Sequence, residues 1–227
     1  MGPGVQEATP LVHNGVMYLP NPSDYIQAID AATGHLKWEY KRQVPDDLGK
    51  FIPVPSINRN LAIFANKIID TSQDDFLFAL DAVTGRLAWR TRIVNYRETS
   101  GPLIANGKIF SSRGCEFNFS PDGCIITAHD AVTGKELWRT RTIPKPSEPG
   151  DETWGGIPDA KRRHVGAWMV PSYDAELNML YVGTSVTSWK RQDLPLSQLD
   201  FGVERRHGKN RVVLPAHRGS LGFRSSF

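Results

Sequence analysis

Three segments of this chain are near copies of one another: AIDAATGHLKW (28–38), ALDAVTGRLAW (79–89) and AHDAVTGKELW (128–138). Their aspartates, Asp30, Asp81 and Asp130, stand 51 and 49 residues apart. A period of that size means a repeat architecture, in which each unit buries its apolar face against the next. Helical repeats would show apolar residues at 3.6-residue spacing. Here they alternate or cluster in short runs, GVMYL, FLFAL, GKIFSS, CIITAH and NMLYVG, which read as strands.

Each copy has a mechanical reading. A strand ends at Ala-x-Asp, the Asp side chain caps backbone N–H groups in the turn, and Thr-Gly closes it with the glycine free to take a positive φ. The next strand carries Trp38, Trp89 or Trp138. A tryptophan at one place in every unit is read as a packing ring whose N–H reaches a partner. Units of about fifty residues with about four strands each build an all-β fold, a β-propeller.

The string A-x-D-A-x-T-G-x-x-x-W resembles the tryptophan-docking repeat of the pyrroloquinoline-quinone (PQQ) dehydrogenases, and argues against kelch and WD-type propellers. The resemblance to their alcohol-dehydrogenase branch covers about residues 4–188. It implies three blades and part of a fourth from an eight-bladed propeller that holds PQQ and calcium on its axis. The same repeat also occurs in non-catalytic propellers, so fold alone does not give activity.

The activity rests on residues outside the repeat. In QEATPLVHNGVMYLP, Glu7 matches a family Glu that touches the quinone. In SINRNLAIF, Arg59 matches the Arg that reaches its carboxylate and carbonyl side. In ETSGPLIANGKIF, Thr99 matches a hydroxyl that bonds the cofactor. In HVGAWMVPS, Trp168 matches the indole under the quinone ring, and in SSRGCEF, Glu116 matches a calcium ligand. These types suit a planar tricarboxylate quinone: an aromatic platform, an arginine for carboxylates, and a hard oxygen for calcium. Each also has a plainer reading: solvated acids for Glu7 and Glu116, a salt-bridge partner for Arg59, a turn residue for Thr99, packing for Trp168.

By this resemblance the chain derives from an oxidoreductase of the periplasm that oxidises an alcohol to an aldehyde or ketone. Its electrons pass through PQQ to an acceptor such as a cytochrome c. The competing class is a non-catalytic interaction scaffold. Departures from the family pattern favour the scaffold. Pro53-Val54 stand where the branch has adjacent cysteines, and Val186 stands where it has a calcium-ligand Asn. Cys115 and Cys124 fit no common zinc spacing, and form either a local disulfide or two unlinked thiols. The Pro-rich segment TRTIPKPSEPGDETWGG (140–156) reads as a loop over one face, with Trp154 either shaping a substrate mouth or anchoring the loop.

The rhythm stops near Ser188. Residues 189–227 hold eight Lys/Arg and three acids, so the +3 net charge hides a body of −2 and a tail of +5. Nothing in the body calls for nucleic acid, and no apolar run has membrane-spanning length. No signal peptide opens the chain, which reads as if upstream sequence were missing. On composition the tail is a basic arm or a disordered linker. Yet one legal set of codons for Trp189 onward, read one base over, spells LALNADTGKIVW, the fourth repeat. It then spells DHWDFD, which resembles the family's catalytic-Asp segment. The tail 189–227 is therefore expected to be a frame-shifted stretch outside the fold, and the catalytic Asp to be absent from the chain as written.

Overall fold

The structure is a computed structural model that describes residues 7–43, 57–93, 100–112, 125–154, 156–159, 162, 166–184, 201–206 and 209–213. They form four antiparallel four-stranded sheets, each running in chain order from its first strand to its last. The first holds β1 (Leu11–His13), β2 (Val16–Asn21), β3 (Tyr25–Asp30) and β4 (Leu36–Lys41). The second holds β5 (Ala62–Phe64), β6 (Lys67–Thr71), β7 (Phe76–Asp81) and β8 (Leu87–Arg92). The third holds β9 (Leu103–Ala105), β10 (Lys108–Ser112), β11 (Ile125–Asp130) and β12 (Glu136–Arg141), and a short 3-10 turn follows at Asp151–Trp154. The fourth holds β13 (Ser172–Asp174), β14 (Met179–Val182), β15 (Phe201–Arg206) and β16 (Lys209–Val213). These are propeller blades, as the repeat predicts.

The repeat turns are built alike. Asp30 Oδ1 accepts the backbone N–H groups of Ala32 and Thr33 and the Thr33 hydroxyl, at 3.0–3.1 Å. Asp81 and Asp130 repeat the pattern with Thr84 and Thr133. The Thr33 N–H, with Lys37 and the Thr33 hydroxyl behind it, pulls the Asp30 carboxyl down to about 2. Opposite each tryptophan the ladder shifts register, at Ala28/Ile29, Ala79/Leu80 and Ala128/His129. A bulge recurring at one place re-aims the following strand, and here it precedes the docking indole.

The first two sheets each present their tryptophan to the next sheet's turn. Trp38 Nε1 donates to Ala82 O at 3.0 Å, and the Tyr18 hydroxyl donates to the same carbonyl at 3.1 Å. The Trp38 ring lies so close over Gly85 that a Cβ there would fall 2.7 Å from it. Trp89 covers Gly134 in the same way, at 2.4 Å, although its own Nε1 is buried with no partner among the described residues. Gly34, the equivalent turn of the first sheet, has nothing within 4 Å. Three apolar layers fill the gaps. Tyr18, Ile26, Ile68, Phe78 and Leu80 lie between sheets one and two. Ile69, Leu77, Ile109 and Ile125 lie between two and three, and Phe110, Ile126, Leu180 and Val182 between three and four. Fully burying one such side chain stabilises by about 1.5–3 kcal/mol. A net hydrogen bond contributes about 0.5–1.5 kcal/mol. Stacking is thus driven by the layers, and the tryptophan contacts fix which turn meets which sheet.

The repeat rhythm stops near Ser188. In the structure, backbone pairing carries the fourth sheet onward: Met179–Val182 pairs with Phe201–Glu204, and β15 pairs with β16 down to Arg206↔Lys209. The rest of 189–227 lies outside the described residues.

A polar knot ties sheets one and two. The buried Arg42 makes a two-pronged pair with Asp74, Nε–Oδ1 2.8 Å and Nη2–Oδ2 2.6 Å. Burial pushes the Asp74 carboxyl up, but Arg42 and the Ser72 hydroxyl together hold it below the usual carboxylate range. Asp24, 1% exposed, accepts the Gln73 N–H at 3.1 Å. Burial pushes its carboxyl up to about 7 despite that bond, and Asp74 nearby adds to the rise.

Two outcomes follow from these contacts. Gly85→Ala meets both a left-handed backbone, φ 70°, and the Trp38 ring, whereas Gly34→Ala meets only its φ of 75°. The first is expected to cost about 1–3 kcal/mol more than the second in urea unfolding; equal costs would show that Trp38 does not hold the turn. Asp24 is protonated in the fold up to about pH 7 and ionised when unfolded above about pH 4. Its contribution therefore falls as pH rises between those values, by about 1.4 kcal/mol per unit. Asp24→Asn should unfold at higher urea than the parent at pH 8 but not at pH 4, opposite in sign to the repeat aspartates, whose stabilisation is lost as pH falls below about 4.

Candidate functional site

Strand direction gives the blades two ends. The β1–β2 and β3–β4 turns meet at one, where Ala31 N–H donates to Gly15 O. The segments leading into each first strand reach the other, with the β2–β3 and β6–β7 turns. Glu7, Arg59 and Trp168 each lie three or four residues ahead of a first strand, β1, β5 and β13. Thr99 stands at the same offset from β9. Residues 52 and 109 positions apart in the chain, a Glu–Arg–Trp set, are thereby delivered to one place.

There they touch. Arg59 Nη2 pairs with Glu7 Oε2 at 2.9 Å, and its guanidinium lies 4.9 Å from the centre of the Trp168 ring. The Arg59 side chain is 14% exposed and the Glu7 side chain 44%. Trp168, at 43%, leaves part of its indole open to solvent. A recurring packing tryptophan would be half-covered by the next turn, as Trp38 is. Trp168 instead stacks with a planar cation, an arrangement that exposed aromatic and arginine planes favour by about 0.5–1 kcal/mol.

The lead-in segments are stitched to one another. Thr9 N–H donates to Arg59 O at 2.8 Å, and Thr9 and Asn60 form a parallel bridge. Asn60 Nδ2 donates to Pro102 O at 3.1 Å. Gly101, φ 77°, packs so tightly on Asn60 that a Cβ would fall 2.1 Å from Asn60 Oδ1. The Ser112 hydroxyl donates to Met169 O at 3.1 Å, next to Trp168. The fully buried Asp70 accepts Asn58 Nδ2 and the Thr71 N–H, both at 2.8 Å. Asn58, Asn60, Asp70 and Ser112 were not singled out by the sequence reading. The only local signal is the alternation N-R-N around Arg59, and their roles depend on which sheet arrives beside them.

Other expected residues fall elsewhere. Thr99 and Glu116 lie outside the described residues, as do Pro53, Val54, Cys115, Cys124 and Val186. Trp154 is 5% exposed, with the Arg162 guanidinium 5.4 Å from its ring centre, so it anchors its loop. Arg162 is itself buried and bonds Pro144 O, Ile157 O and Asp151. A cavity lined by Phe110, Trp138, Tyr173 and Leu180 opens beside the third tryptophan, at the far end from Arg59. No described helix is long and apolar enough to cross a membrane.

The donor set fits a flat, multiply charged anion: a partly exposed indole, a guanidinium held beside it by a carboxylate, and lead-in backbone fixed by asparagines. Comparison with known proteins gives the family. The family model described as glucose/ethanol/alcohol dehydrogenase, beta-propeller domain (PQQ), matches residues 2–193. The quinohemoprotein alcohol dehydrogenase ADH IIB of Pseudomonas putida is 34% identical over 202 residues, which cover 82% of this chain and 29% of that protein. The 1-butanol dehydrogenase (quinone) of Thauera butanivorans is 31% identical, covering 82% and 35%. The crystal structure of quinohemoprotein alcohol dehydrogenase from Comamonas testosteroni superposes with a TM-score of 0.74 at 28% identity, over 90% of this chain and 34% of that one. The chain thus spans about a third of the length of such relatives. With the repeat, the blades and this match over most of its residues, the chain belongs to the PQQ glucose/ethanol/alcohol dehydrogenase β-propeller family.

Proposed function

We propose that this chain carries part of the cofactor site of a PQQ- and calcium-dependent alcohol dehydrogenase-like oxidoreductase. The observation that carries the reading is the convergence of Glu7, Arg59 and Trp168 at one end of the blades. When bound, PQQ supplies the two-electron chemistry that takes an alcohol to an aldehyde or ketone. Arg59 binds its carboxylate edge through a charge-assisted fork. Trp168 carries the ring and keeps water from one face. Glu7 holds the guanidinium in reach, Thr99 donates its hydroxyl, and Glu116 gives calcium a hard oxygen ligand. On the same reading the compartment is the periplasm and the electron acceptor a cytochrome c.

Residues 189–227 are a frame-shifted stretch on this account, and the catalytic Asp of the family is not among them. The chain as written therefore binds without turning over. Titrating PQQ with calcium into the protein should quench tryptophan fluorescence saturably. Arg59→Ala should weaken that binding about tenfold or more, the scale of a lost charged hydrogen bond, and no electron-acceptor dye should be reduced with alcohols. Absence of saturable quenching would overturn the reading and leave the non-catalytic scaffold.

A further inference from the structure

The last strands of the first three sheets align residue for residue after their tryptophans. The two same-face positions are Glu39 and Lys41 in β4, Arg90 and Arg92 in β8, and Arg139 and Arg141 in β12. Charged residues on outer strands ordinarily serve to keep an edge from pairing with another chain. In the first sheet the two charges cancel, and in the third they are paired. Glu39 and Lys41 are of opposite sign. Arg139 pairs with Glu136 through two bonds, Nε–Oε1 2.6 Å and Nη2–Oε2 2.5 Å, and Arg141 pairs with Glu148 at 2.7 Å. In the second sheet the position of Glu136 is taken by Leu87, and neither Arg90 nor Arg92 has a carboxylate within 4 Å among the described residues.

These two arginines nevertheless turn toward a common point. Their guanidinium carbons lie 5.4 and 5.9 Å from the centre of the Phe76 ring. A third, Arg42 from the first sheet, reaches the same ring at 4.6 Å. Both β8 arginines are exposed, and they sit on the face of the sheet that Phe76 and Phe78 share, opposite those residues in the ladder. Asp74 neutralises Arg42 alone. Three guanidiniums around one ring repel one another, and ring contacts of about 0.5–1 kcal/mol each do not remove that repulsion. Two positive charges remain, exposed, convergent and on a shared floor.

We propose that Arg90 and Arg92 form an oxyanion site of the phosphate class on the outer wall of the propeller, between sheets one and two. A phosphate at neutral pH carries close to the two negative charges the pair leaves unanswered, and offers the oxygens that guanidinium forks match in geometry. Phe76 supplies the apolar floor that keeps both forks in place. The site is separate from the Glu7–Arg59–Trp168 group and does not depend on PQQ being bound there.

Calorimetric titration of inorganic phosphate into the full chain, at constant ionic strength set with chloride, tests this. Saturable binding is expected. Arg90→Gln with Arg92→Gln should lose it by about tenfold or more per arginine, the scale of a charge-assisted hydrogen bond. Arg139→Gln with Arg141→Gln, which removes the same charge where it is already paired, should leave it unchanged. Arg90→Lys keeps the charge and the fold but not the fork, and is expected to bind weakly. A second arm uses phosphatidylcholine vesicles with and without phosphatidic acid; retention only with the acid would assign the phosphate to a lipid headgroup, and retention with neither to a free ion. No saturable binding, or equal loss in both double variants, would overturn the proposal.

Discussion

The stacking of an indole from one sheet on the glycine turn of the next is the contact on which the remaining geometry depends. The apolar layers stabilise more, but a layer of Ile, Leu and Phe tolerates sliding. Trp38 on Gly85, with its N–H on Ala82 O, does not: the glycine has no room for a methyl group, and the carbonyl holds the indole N–H and the Tyr18 hydroxyl together. Fixing that register at the turn end also fixes where the lead-in segments arrive at the opposite end. A shift of one sheet against its neighbour would part Thr9 from Arg59 O and carry Arg59 away from Glu7 and Trp168. The site is thus a consequence of the stacking.

Much of this was legible in the sequence for a physical reason. The turn is a local device, in which Asp, Thr and Gly act within five residues of one another, so its chemistry is written in a contiguous string. The tryptophan follows at fixed distance because the bulge sets its direction. Glu7, Arg59 and Trp168 could be named through family resemblance, and their offsets ahead of the first strands explain why they meet. The supports carry no such signal: Asn58 on Asp70, Asn60 on Gly101, Arg42 on Asp74. Each is an ordinary polar residue whose burial is decided by the sheet that comes to lie over it. Trp154 shows the converse, since a tryptophan in a Pro-rich loop has no periodicity from which to infer burial.

The buried charges divide by the same logic. Arg42 and Asp74 are tolerable between sheets because their fork is complete. Breaking such a pair costs far more than it contributes. Asp24 is buried with a backbone donor and, among the described residues, no ion pair, so the fold keeps its proton to about pH 7. Arg90 and Arg92 avoid the problem by staying exposed, and so remain open to an external anion.

A double-mutant cycle between Trp38→Leu and Gly85→Ala, read by urea unfolding, tests the docking contact most directly. If the indole seats on that glycine, removing the ring relieves the clash of the added methyl, and the two changes are non-additive by about 0.5–3 kcal/mol. Strict additivity would show that Trp38 and the turn at Gly85 do not hold each other, and that the sheets owe their register to something else.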